Sequence, residues 1–160
     1  MSPREGLDRK AARLKDYDYS APGGYFITIC TKERKQVFWR VGASCARPAL
    51  SEAGKAVSEE LLRLSNAYPT VRLDKVAIMP NHVHMILVIG PGEGGRAQLA
   101  PTVSRVVQQF KGAVTKRVGI SLWQKGFYDH IIRNEADYLR IWEYIDANPA
   151  KWEEDCYYVP

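Results

Sequence analysis

The chain has 160 residues, 46% hydrophobic and 26% charged, which suits one folded domain with its own core and excludes a disordered or fibrous class. No run approaches the roughly 18–20 apolar residues of a membrane span, and "MSPREGLDRKAARLKDYDYS" lacks the apolar stretch of a secretion signal, so a cytoplasmic protein without a membrane partner is expected. A net charge of +5 leans toward a polyanionic partner, and Cys30, Cys45 and Cys156, without C-x-x-C spacing, read as reduced thiols rather than a metal site.

Residues 1–21 form a basic arm carrying Arg4, Arg9, Lys10, Arg13 and Lys15. After Pro22-Gly23-Gly24, the aromatic and β-branched run to residue 31 predicts a first strand. Residues 34–51 are irregular, a short hairpin or a loop. Ser51 caps a first helix whose Val57, Leu61 and Leu64 share one face, ending near "NAYP". Strands follow over 71–79 and 82–90, with Pro80-Asn81 as the turn between them. The glycine-rich connection 90–101 lacks the Gly-Lys-Ser/Thr ending of a phosphate-cradling loop. Val103, Val106, Val107, Phe110 and Val114 make one face of a second helix over 102–119, which also carries Arg105, Lys111, Lys116 and Arg117. A fourth strand is predicted over 127–133, then a third helix capped by Asn134, with Asp137 at the capping-box position and Pro149 as its stop. Residues 150–160 are a partly acidic C-terminal tail. The order β-α-β-β-α-β plus a helix predicts an α+β, ferredoxin-like (split βαβ) antiparallel sheet with helices on one face and an extra C-terminal helix, within a single domain 1–160.

"AIMPNHVHMILVIG" (77–90) poses the chemical question. Strand alternation puts His82 and His84 on one face and Val83 and Met85 on the other, so the imidazoles mark the polar point of a strand that is otherwise core. Two readings follow. The pair converges on a divalent cation, or His82 caps the turn while His84 hydrogen-bonds in the interior. If they are ligands with ordinary acidity, metal binding fails as pH falls through about 6.5. On the last helix Tyr138, Ile141, Trp142 and Ile145 form the core stripe, and Tyr144 falls at its boundary with Asn148 one turn further on. His130 and Asp129 on the fourth strand read as structural hydrogen-bonding groups, and Trp123, Phe127 and Trp152 as core or lid packing rather than base-stacking rings.

"MPNHVHMILVI" resembles the His-hydrophobe-His motif of the HUH single-strand DNA nucleases. "LWQKGFYDHIIRNEADYLRIWEYIDANPAKW" resembles the C-terminal block of the single-tyrosine transposases of that superfamily. Tyr144-Ile145-Asp146-Ala147-Asn148-Pro149 matches the Tyr-Ile-x-x-Asn-Pro signature of the REP-associated tyrosine transposases, and "KDYDYSAPGGYFITICTKERKQVF" is similar to their opening. The resemblance runs from about residue 13 to 155. It implies metal-dependent cleavage and transfer of single-stranded or hairpin DNA through a 5′-phosphotyrosine, with Mg²⁺ or Mn²⁺ as cofactor and no small-molecule substrate. Carried over by position, Tyr144 is the nucleophile and His82, His84 and Asn148 are the metal ligands; Lys111, Lys116, Arg117 and Arg13 are the candidates for phosphate contact, with a solvated basic face as the other reading of the second helix. A bacterial or archaeal cytoplasmic monomer or homodimer is implied. The alternative is a ferredoxin-like domain that binds structured nucleic acid without cutting it.

Overall fold

The computed structural model describes residues 23–44, 46–91 and 101–160. The arm 1–21, Arg13 within it, and most of the glycine-rich connection lie outside the described residues. Four strands, β1 (Gly23–Cys30), β2 (Val71–Ile78), β3 (His82–Ile89) and β4 (Tyr128–Ile132), form one sheet in the order β2-β3-β1-β4. Every pairing is antiparallel, as the ferredoxin-like arrangement requires. Three helices, α1 (Glu52–Ala67), α2 (Val103–Val118) and α3 (Glu135–Ala147), complete it. The predicted elements stand within a residue or two of their expected bounds.

Local chemistry explains the helix ends. Ser51 Oγ accepts from Gly54 N, Thr102 Oγ1 from Arg105 N and Asn134 Oδ1 from Asp137 N, each satisfying an orphan donor of a first turn. Gly119 ends α2 at φ 81°, in the left-handed region where a side chain is costly. Asp137 does not complete a capping box. Its carboxylate is taken by His130 Nε2 at 2.8 Å and Arg140 Nη2 at 2.6 Å, which ties β4 to α3. The irregular stretch before α1 is hairpin-like, with bridges Trp39↔Leu50 and Ser44↔Arg47.

The sheet separates two cores. Tyr25, Ile27 and Ile29 of β1, with Val83, Met85 and Leu87 of β3, pack under α1 and α2. All five apolar positions predicted for α2 are buried there. On the opposite face Phe26, Ala77, Met79 and Ile86 pack against Ile141 and Ile145 of α3 and against Trp152. The extra helix therefore covers the face that α1 and α2 leave open, and the even-numbered residues of β3, His82 and His84 among them, point toward it.

The end of the chain is folded back rather than left as a tail. A 3-10 segment, Pro149–Glu154, buries Trp152 beside Trp39, their rings 6.5 Å apart. The start of α1 is equally constrained, because a Cβ on Gly54 would collide with the carbonyl oxygen of Phe38. Alanine's better helix propensity is worth about 1 kcal/mol. A backbone collision outweighs it, so Gly54→Ala should cost about 1–3 kcal/mol. Urea denaturation checks this, and an unchanged or higher midpoint would show that Phe38 yields freely.

Candidate active site

β3 begins at a turn that prepares its first residues. Met79 N donates to His82 O at 2.8 Å, and Thr31 N, just past β1, donates to Asn81 O at 2.9 Å. Asn81 is buried and uses its whole side chain. Its Nδ2 donates to the carbonyls of Arg34 (3.2 Å) and Tyr157 (2.8 Å), which leaves Oδ1 facing His82 Nδ1 at 2.7 Å. Two carbonyl acceptors set the amide's orientation, so Oδ1 is an acceptor and Nδ1 of His82 must carry the proton. The lone pair of neutral His82 then sits on Nε2.

His84 is held in the same way from the neighbouring strand. Thr28 lies opposite it in the β1–β3 register, and Thr28 Oγ1 is 2.8 Å from His84 Nδ1. The two Nε2 atoms approach to 3.0 Å. In the metal-free protein a proton on His84 Nε2 bridges them, with Thr28 donating to Nδ1. When the Thr28 hydroxyl rotates to accept instead, His84 presents a second lone pair to the same point. Two donors at 3.0 Å match the spacing of ligands about 2.1 Å from one shared cation.

Asp155 completes the cluster. It follows the 3-10 segment, and Tyr157 N donates to its Oδ1 at 2.7 Å. Its Oδ2 lies 3.8 Å from His82 Nε2 and 3.9 Å from His84 Nε2. His82, His84 and Asp155 are the group that could hold a metal ion among the described residues, and all three are buried. Tyr144 stands at the core boundary, as its helical phase predicts, and its hydroxyl donates to Asp155 Oδ2 at 3.4 Å. Phe26 meets Tyr144 edge-on, and the Tyr144 and His84 rings are 5.4 Å apart. Tyr138 faces elsewhere, donating to Asp74 Oδ2 at 2.8 Å.

Asn148 is buried and its Oδ1 has no hydrogen-bond partner among the described residues. His130 is bonded to Asp137, and Trp123 and Trp152 are core. Two of the four basic residues of α2 are engaged within the fold. Lys111 Nζ donates to the carbonyls of Gln124 and Gly126, each at 2.8 Å, and Arg117 pairs with Glu59 and Glu60. Lys116 is exposed. Sequence reasoning missed Asp155, Thr28 and Asn81. Only a lone acid in the acidic tail and the β1–β3 register pointed to them.

Electrostatics prepares the cluster for a cation. Burial pushes His82 well below its ordinary 6.5, with the neighbouring His84 adding to it, and burial lowers His84 too. Burial pushes Asp155 up, but the hydrogen bond with His84, the proximity of His82 and the Tyr157 N–H outweigh it and hold the carboxyl ionised. Cys30, opposite His82 in the register, is pushed up to about 12 by burial and stays a neutral thiol. The loss of metal binding expected near pH 6.5 if the imidazoles are ligands therefore moves to lower pH. The unfolded chain takes up protons near 6.5 that the native imidazoles refuse. Stability is thus intact above that value and falls as the pH drops below it. NMR titration of the metal-free protein should give both imidazole midpoints below 6.5. A midpoint at or above that value would contradict burial as the dominant effect.

No family model matches the chain. An uncharacterized protein of Haemophilus influenzae is 35% identical over 170 aligned positions, covering 94% of this chain and 93% of that protein. The REP-associated tyrosine transposase of Escherichia coli K12 is 25% identical over 134 positions, covering 83% of this chain and 70% of its own. A solved structure of a REP-associated tyrosine transposase bound to a REP hairpin shares the fold, with a TM-score of 0.65 at 22% identity over 88% of this chain and 74% of that one.

Proposed function

We propose that the chain belongs with the REP-associated tyrosine transposases, to one of which it is 25% identical, and that it cleaves and rejoins hairpin-bearing single-stranded DNA through Tyr144. His82, His84 and Asp155 hold a divalent cation, Mg²⁺ or Mn²⁺. The observation that carries this reading is the meeting of two imidazole Nε2 atoms at 3.0 Å beside a carboxylate that also accepts from Tyr144. The buried, unpartnered Oδ1 of Asn148, one helical turn from Tyr144, is a further oxygen donor for the ion.

The phenol oxygen of Tyr144 gives up its proton and bonds to phosphorus as the bond to the 3′ oxygen breaks. That oxygen leaves with a proton as a free 3′-hydroxyl, and the 5′ end stays on the tyrosine. The phosphotyrosine keeps the energy of the broken bond, so a 3′-hydroxyl can reverse the attack and join strands. Asp155 orients the phenol by accepting its proton in a hydrogen bond, and Thr28 and Asn81 orient the two imidazoles. The cation, when bound, offsets the charge that builds on the phosphate oxygens. The Tyr157 ring lies tilted against His82 with ring centroids 4.6 Å apart, so a phosphate reaches the histidines once that ring has moved aside. Burial under Tyr157 is also what favours the second reading, binding of structured nucleic acid without cleavage.

The same variants separate the two readings. Tyr144→Phe should abolish the covalent protein–DNA adduct formed with single-stranded DNA and Mn²⁺, while leaving DNA binding within about twofold, since one hydroxyl contacts no other phosphate. Tyr138→Phe should keep the adduct. The first reading is lost if wild-type protein binds the DNA and forms no adduct. In calorimetry, Asp155→Asn and His84→Ala should each weaken Mn²⁺ binding by at least about tenfold, in line with losses of about 10–100-fold for outer partners alone. Equal binding by wild type and both variants would leave these residues with a structural role.

A further inference from the structure

A second cationic feature lies after β1, against the loop 121–126 that follows α2. Directly after β1 the chain makes a tight turn at Lys32–Arg34 in which Glu33 (φ 53°) and Arg34 (φ 55°) are both left-handed. Two consecutive non-glycine residues there are strained, so the turn must be held from outside. Thr31 Oγ1 donates to Lys35 O at 2.8 Å, Lys32 N donates to Leu122 O at 2.8 Å, and Asn81 Nδ2 donates to Arg34 O. Together with Gln124 and Lys125, the turn lines an open cleft of about 520 Å³.

The charge in this cleft is one-sided. Lys32, Arg34 and Lys125 face a single acid, Glu33, which pairs with Lys35. Lys32 Nζ bonds only the Ser121 hydroxyl, and neither Arg34 nor Lys125 has a carboxylate partner among the described residues. The Arg34 guanidinium lies 5.7 Å from the centre of the Tyr157 ring, which itself packs at a tilt against His82. One asparagine side chain thus ties this turn to the first histidine, and one ring separates the cations from the site. Strained backbone and unbalanced positive charge both have a purpose if an anion with several negative groups lies in the cleft.

We propose that Lys32, Arg34 and Lys125 form a cradle for the sugar-phosphate backbone of the single strand, next to the phosphate presented to Tyr144. The cradle, rather than α2, is the main electrostatic contact with that strand. The inference rests on the proposed function for its ligand class and goes beyond it in naming the surface. All three side chains are exposed, so their loss leaves the core alone.

The test is binding of a fluorescent single-stranded DNA oligonucleotide by full-length protein across a salt series. The combined variant Lys32→Gln, Arg34→Gln, Lys125→Gln should lose about 2 from the slope of log K against log salt, at about 0.7 per phosphate contact. Exchanging the charges in kind (Lys32→Arg, Arg34→Lys, Lys125→Arg) should restore most of it, which a fold defect would not do. An unchanged slope in the glutamine variant, with Lys116→Ala flattening it instead, would overturn the cradle and put the strand on α2. Adduct formation in the same samples separates the two levels. Wild-type protein that forms the adduct while the glutamine variant binds normally sinks the cradle alone. Wild-type protein with neither binding nor adduct sinks both readings.

Discussion

Two buried imidazoles with their Nε2 atoms 3.0 Å apart are the constraint around which this fold is organised. Facing lone pairs repel, and a buried pair of unprotonated nitrogens is tolerated only with a proton or a cation between them. Four elements combine to impose the meeting. The alternation of β3 aims His82 and His84 at one face, Thr28 of β1 sets the ring of His84, Asn81 of the β2–β3 turn sets that of His82, and the folded-back C-terminal segment adds Asp155. α3 occupies that same face, which is why its boundary residue Tyr144 reaches the carboxylate while its core residues Ile141 and Ile145 pack on the sheet.

Asn81 links parts of the molecule that are distant in sequence. Its amide joins the first histidine, the strained turn after β1 and the C-terminal segment at Tyr157. Losing it leaves two carbonyls and one imidazole N–H short of a partner in a buried region, so the damage extends well beyond one bond. The orientation of the His82 ring, the backbone of a cationic turn and the position of the Tyr157 backbone thus depend on one side chain. The geometry couples the cationic turn to the first histidine through short, identifiable hydrogen bonds.

Most of the architecture was legible from residue order because each element is locally consistent. Capped helices with apolar faces at helical spacing, and strands bounded by Pro, Gly and Asn, left few alternatives. The facing of His82 and His84 followed from period 2, and the separation of Tyr144 from Tyr138 from period 3.6. What could not be read depends on long-range return of the chain. Asp155 reaches the histidines only because Trp152 buries itself and turns the end of the chain inward, which composition describes merely as acidic. For Lys111 and Arg117 the basic charge was legible but not their partners in the fold, carbonyls of the 124–126 loop and two α1 glutamates. The Lys32–Arg34 turn gave no signal at all, since no composition rule anticipates two left-handed residues without glycine.

The most direct measurement of the central claim is the anomalous scattering of manganese in crystals of this protein soaked in Mn²⁺. The account predicts one strong peak within bonding distance, about 2.0–2.3 Å, of both His82 Nε2 and His84 Nε2. Asp155 Oδ2 should be drawn in from its present 3.8–3.9 Å separation from the two nitrogens. At saturating Mn²⁺, an absent peak with the imidazoles still 3.0 Å apart, sharing a proton, would contradict it.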